Sequence, residues 1–134
     1  MYIIDTDVLS LLRRPDRAPG PARWLAGRAD AELYLSSITV GEIARGIELV
    51  RPRDPRFASD LEAWLAVIRS RFSDRILPFG AEEADLWGRL CADLGHVSVD
   101  LMIAATAKRG GLTVVTRNLR HYEGTGVAAV DPGA

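Results

Sequence analysis

The sequence predicts an α/β domain: a parallel sheet with helices on both faces. Three observations predict it. The chain opens with Tyr2-Ile3-Ile4, aromatic or β-branched without a polar break, as in a strand buried on both faces. Short apolar runs then alternate with longer helical patterns, the arrangement of parallel strands joined by crossover helices. No repeat, low-complexity tract or linker interrupts the 134 residues, so residues 1–134 are expected to form one domain.

The elements follow in order. Val8 to Arg14 carries apolar residues at helical spacing and is limited by Pro15. Pro15 to Pro21 reads as a loop, and a short helix is expected over about Ala22 to Ala29. Leu33-Tyr34-Leu35-Ser36 is the second strand. Thr39 to Leu49 is amphipathic, and Thr39-Val40-Gly41-Glu42 matches a capping box at its start. Asp54-Pro55 opens a helix to Arg71, with Phe57, Leu61, Trp64, Leu65 and Ile68 as its stripe. Ile76-Leu77-Pro78-Phe79 is a short third strand whose proline suggests an edge. A helix over Ala81 to Leu94 ends at Gly95. Ser98 caps another, from Val99 to about Arg109, which Gly110-Gly111 stops. Leu112 to Thr116 is the fourth strand and Val127 to Val130 a weaker fifth.

Composition narrows the class. Hydrophobic residues make up 48% and charged residues 26%, ordinary values for a globule. No apolar run reaches the length of a membrane span, and no secretory leader pattern opens the chain, so the cytoplasm is the expected location. A single cysteine, Cys91, rules out an internal disulfide and is expected in the core. His96 and His121 stand far apart without a second nitrogen or sulfur ligand at zinc spacing, and both are expected to be ordinary loop or surface residues. Net charge is −1, so the molecule as a whole exerts no strong pull on nucleic acid. Its basic residues are nearly all arginine, Lys108 being the only lysine, and arginine grips phosphate in bidentate fashion.

The expected topology concentrates chemistry at one place. Crossover helices run antiparallel to the strands, so strand C-termini and helix N-termini share one edge of the sheet, where open α/β sheets bind ligands. Asp5 and Asn118 follow strands; Glu42 and Asp100 lie near helix starts. Three carboxylates in one partly enclosed site repel one another, a conflict that a hard divalent cation resolves. Oxygen ligands without His or Cys favour Mg²⁺ or Mn²⁺. Such an ion lowers the pKa of bound water, and two ions about 4 Å apart stabilise both oxygens of a phosphodiester displacement. Each residue also has a plainer role. Asp5 could cap the first helix, Glu42 could complete the capping box begun by Thr39, and Asp100 could complement a helix dipole.

Four segments resemble a known family: Ile3 to Leu9, Leu35 to Glu42, Ser98 to Ala107, and Val114-Val115-Thr116-Arg117-Asn118, with Arg75 to Phe79 similar to its third strand. The family is the PIN-domain ribonucleases, in particular VapC-type toxins and their FitB-like branch. The resemblance implies a three-layer α/β/α fold with strand order 3-2-1-4-5 and a Mg²⁺- or Mn²⁺-dependent endoribonuclease site. It implies that Asp5, Glu42 and Asp100 hold the metal, directly or through water. Thr116 resembles an assisting hydroxyl residue of the outer shell, beside Thr6, and Asp7 a support for the first carboxylate. Asn118 stands where many relatives carry Asp, so one ion is expected to be well held and a second recruited with substrate. Arg117 and Arg120 are candidates to meet RNA phosphates, Arg13 and Arg14 weaker ones.

Such toxins cut structured RNA, often transfer or ribosomal RNA. They are typically homodimers, held inactive by a VapB-type antitoxin that inserts a basic side chain and reaches operator DNA. Leu11, Leu12, Trp24 and Leu25 could line a groove for an antitoxin helix, although their helical spacing reads first as core. Two other readings compete. One is a catalytically silent scaffold acting through antitoxin and DNA binding. The other is a haloacid-dehalogenase-type phosphatase with Asp5 as nucleophile, which needs a later lysine and a downstream acidic cluster.

Overall fold

In a computed structural model that describes residues 1–133, five short strands form one parallel sheet in the order β3-β2-β1-β4-β5. The strands are β1 (Tyr2–Ile4), β2 (Leu33–Ser36), β3 (Ile76–Leu77), β4 (Thr113–Val115) and β5 (Ala129–Val130). Six helices connect them: α1 (Thr6–Leu11), α2 (Pro19–Ala26), α3 (Ser37–Val50), α4 (Pro55–Arg71), α5 (Ala81–Leu94) and α6 (Val99–Gly110). The order matches the expectation, and the third strand does stand at an edge, although it ends at Leu77, before Pro78.

Strand periodicity produces the three layers. Successive side chains of a strand point to opposite faces, and β1 and β4 divide accordingly. Ile4 and Val115 join Leu33, Leu35, Ile43, Ile47, Ala58, Ile68 and Phe72 on one face. Ile3 and Val114 join Leu90, Ile103, Ala104, Ala105 and Tyr122 on the other. Both central strands are therefore buried on two sides, which is why their sequences show no polar alternation. The small residues Ala104, Ala105 and Ala107, all fully buried, let α6 lie close against the sheet.

Several boundaries differ from the sequence reading, each for a local reason. Helix α1 begins two residues earlier, at Thr6, because Asp5 is its N-cap, with extended φ −64° and ψ 151° and a carboxylate accepting from the Thr6 amide. Helix α2 starts at Pro19, whose fixed φ suits a first turn. Helix α3 begins at Ser37, capped by Ser36, whose hydroxyl accepts from the Ile38 amide. The capping box expected at Thr39 and Glu42 is therefore absent: Thr39 is fully buried inside the helix. Cys91 is half-buried on α5 rather than in the core. Of the four groove candidates, Leu25 is buried and Trp24 packs edge-on against Tyr2 with ring centres 4.9 Å apart. Leu12 packs against the same core. Among the described residues no helix is long and apolar enough to cross a membrane.

Candidate metal centre at the carboxyl edge of the sheet

Asp5 leaves the end of β1 as that strand's apolar run stops. Its amide donates to the carbonyl of Val115 on β4, so the residue is pinned between the two central strands. Only 3% of it is exposed. Oδ1 accepts from the Thr6 amide and Oδ2 from the Thr116 hydroxyl, both at 2.8 Å. Thr116 in turn accepts from the Asn118 amide at 3.0 Å. Capping and site-building are thus one role: the turn that starts α1 also holds the carboxylate still.

Glu42 comes from the second turn of α3 and is joined to this centre by Thr6. The Thr6 hydroxyl donates to Glu42 Oε1 at 2.5 Å and meets the Thr39 hydroxyl at 2.9 Å. The residues that match a capping box in sequence therefore serve a tertiary contact. Asp100 lies in the first turn of α6, capped by Ser98. Its Oδ2 is 2.5 Å from Nδ1 of His121. Asp7 accepts from the Asn118 side-chain amide at 3.0 Å.

The electrostatics show that these groups bear on one place. Burial is the main cause that pushes the Asp5 carboxyl up to about 6. The Thr116 hydrogen bond opposes that rise, while the fields of Asp100 and Asp7 add to it. Tyr122, 3% exposed, has its phenol pushed far upward by burial and then by Asp5, Asp100, Glu42 and Asp7 together. Four carboxylates from three segments act on one buried hydroxyl, which has no hydrogen-bond partner of its own among the described residues. Among the described residues no three His, Cys, Asp or Glu side chains close around a common point.

Arg117, Asn118, Arg120 and His121 line a cavity of about 720 Å³. A second, of about 410 Å³, lies against Asp7, Ser10, Leu11, Arg117 and Asn118. Arg117 and Asn118 thus form the wall between two recesses. Lys108 sits at the far end of α6, donating to the Thr125 carbonyl, which leaves the phosphatase reading without its lysine.

A model of the PIN domain matches residues 2–126. The chain belongs to the PIN-domain family. The FitB toxin of Neisseria gonorrhoeae is 31% identical, over 98% of both chains. VapC ribonuclease Y4jK of Sinorhizobium fredii is 32% identical, over 98% of this chain and 97% of its own. A chain in the structure of FitAB bound to an IR36 DNA fragment superposes with a TM-score of 0.85 at 30% identity, covering 98% of this chain and 95% of that one.

The donor set of this PIN domain fits a hard divalent cation. Every acidic group at the centre offers oxygen, and Asp5 is ionised there only at a desolvation cost that a cation would offset. The residue that sequence reasoning misses is His121. It has no second nitrogen ligand at zinc spacing, but the chemistry it meets is a carboxylate that no spacing rule links to it. The one available signal is its place three residues after Asn118.

Proposed function

We propose that this PIN domain is a divalent-metal-dependent endoribonuclease, the toxin of a type II toxin–antitoxin pair that works in the cytoplasm. The observation that supports the reading is the buried Asp5, its carboxyl pushed up to about 6 by burial and further by Asp100 and Asp7, with Glu42 tied to the neighbouring Thr6. In this reading Asp5, Glu42 and Asp100 hold Mg²⁺ or Mn²⁺, and Asn118 contributes its amide oxygen through water. When bound, the ion supplies a hydroxide-like water and neutralises charge on the phosphate.

The chain's own residues do the rest. Thr6 and Thr116 fix the two carboxylates they donate to, and Thr39 holds Thr6 in place. Arg117 lines both recesses that meet at Asn118, and Arg120 lines one of them, where they would hold RNA phosphates flanking the scissile bond. Substrates are structured RNAs of the transfer or ribosomal class. The likeness to FitB, solved with FitA on DNA, supports a VapB-type antitoxin that brings the toxin to operator DNA. In this reading a basic antitoxin side chain neutralises the carboxylates and the toxin is a homodimer, as the family resemblance implies.

The silent-scaffold reading draws on Asn118, which brings no charge and gives its amide hydrogen to Asp7. One comparison separates the two: growth arrest and Mg²⁺-dependent RNA cleavage by wild type and by Asp100→Asn. Loss of both in the variant supports the nuclease; arrest that persists unchanged points to binding alone.

A further inference from the structure

We propose that His121 is a positioning residue of the metal centre, its Nδ1–H holding Asp100 Oδ2 so that Oδ1 is presented to the ion. The inference rests on the metal-centre reading above. The tautomer with its proton on Nδ1 lets His121 donate to Asp100 Oδ2 across the 2.5 Å contact. The need for such a hold is local. Asp5 is clamped at both oxygens, and Glu42 by Thr6, whereas Asp100 lies on an exposed helix start with 29% of its side chain accessible. Free rotation there would present either oxygen, or neither, to a cation.

The fold places His121 firmly although the ring is half-exposed. The residue sits in a 3-10 turn, Leu119–Tyr122, that follows β4. Its amide donates to the Asn118 carbonyl at 3.0 Å, and the next residue, Tyr122, is buried under α6. One turn therefore brackets the centre: Asn118 at its start holds Asp7, and His121 near its end holds Asp100. Surface ion pairs usually contribute little to stability, so a purely structural role would leave cation affinity unmoved. Hydrogen-bond partners of metal-binding side chains typically matter about 10- to 100-fold in affinity.

The test is Mn²⁺ binding to the full chain without RNA, read by electron paramagnetic resonance. His121→Ala is expected to weaken Mn²⁺ about tenfold or more. His121→Asn, whose amide can take the place of Nδ1–H, is expected to stay within about threefold of wild type. His121→Gln, which places its amide nearer the position of Nε2, is expected to behave like His121→Ala. In an Asp100→Asn background His121→Ala should have no further effect, because the partner is already gone. His96→Ala, in an exposed loop, serves as the control.

Thermal unfolding of each metal-free variant separates a folding defect from a binding one, and ¹⁵N shifts of His121 report the Nδ1–H tautomer in wild type. Affinity in His121→Ala within about twofold of wild type overturns the proposal, as does a His121→Asn variant as weak as His121→Ala. Wild type that binds Mn²⁺ but cleaves no RNA would sink the nuclease reading while leaving the positioning role standing.

Discussion

The side-chain amide of Asn118 donates to Asp7 Oδ2 at 3.0 Å, joining residues 111 apart in sequence. It ties the loop after β4 to the first turn of α1 and uses the hydrogen that only an amide can offer. Asn118→Asp would replace an attraction with two facing carboxylates. We expect a second Mn²⁺ equivalent, or tighter binding of the first, in calorimetry without RNA. Unchanged stoichiometry and affinity would refute this account of Asn118.

Asp5 contributes a pH-dependent stability to the metal-free protein. Its folded-state pKa, about 6, lies above the ordinary value of 3.8, so the folded state binds its proton more tightly than the unfolded chain. The resulting stability is fully present below about pH 4 and is lost as pH rises through about 6, a total of about 3 kcal/mol. Chemical denaturation between about pH 4 and 7 should show this loss in wild type and not in Asp5→Asn. Added Mg²⁺ should stabilise wild type more at about pH 7 than at about pH 4.5.

Thr6 joins Asp5 to Glu42 through one hydroxyl. Thr6→Val removes the donor to Glu42 and leaves the buried Thr39 hydroxyl without that partner. A stability loss of about 1–2 kcal/mol is expected, with a larger proportional fall in Mn²⁺ affinity. Equal affinity in the variant would show that Glu42 needs no such hold.

Arg117 and Arg120 are expected to act on RNA through charge. Each Arg→Ala change should weaken binding across RNA sequences and flatten the log–log salt dependence by about 0.7–0.9 for each phosphate that the arginine neutralises. A slope identical to wild type would place these arginines in solvent.

Gly124 and Gly95 separate backbone strain from crowding. Both have positive φ, +78° and +77°, but a methyl at Gly124 would stand 2.9 Å from Leu94 Cδ2 whereas one at Gly95 meets nothing within 4 Å. Gly95→Ala should cost about 1–2 kcal/mol for the left-handed conformation alone, and Gly124→Ala measurably more. Equal melting shifts would mean that Leu94 moves aside freely.

The fold is legible in sequence because it rests on local signals. Uncharged strands rich in β-branched residues at Tyr2–Ile4 and Thr113–Val115, the Ser98 cap and the glycines ending α5 and α6 are each read from a few neighbouring residues. The strand order needs the family resemblance, since periodicity does not say which strands pair. The capping box at Thr39 misleads for a physical reason. A threonine followed three residues later by glutamate satisfies the pattern equally well when both side chains are bonded to another element.

By itself, the sequence determined that strands would alternate with helices and that acidic residues would fall at the ends of strands and near the starts of helices. Hydrophobic periodicity and caps act over one or two turns, and that is the range over which sequence speaks directly. Only the tertiary structure decided which side chains meet: Thr6 with Glu42, Thr116 with Asp5, Asn118 with Asp7 and His121 with Asp100. Those pairings depend on sheet register and helix placement, which arise from packing the two apolar faces of the sheet and leave no mark on the spacing of the residues they bring together.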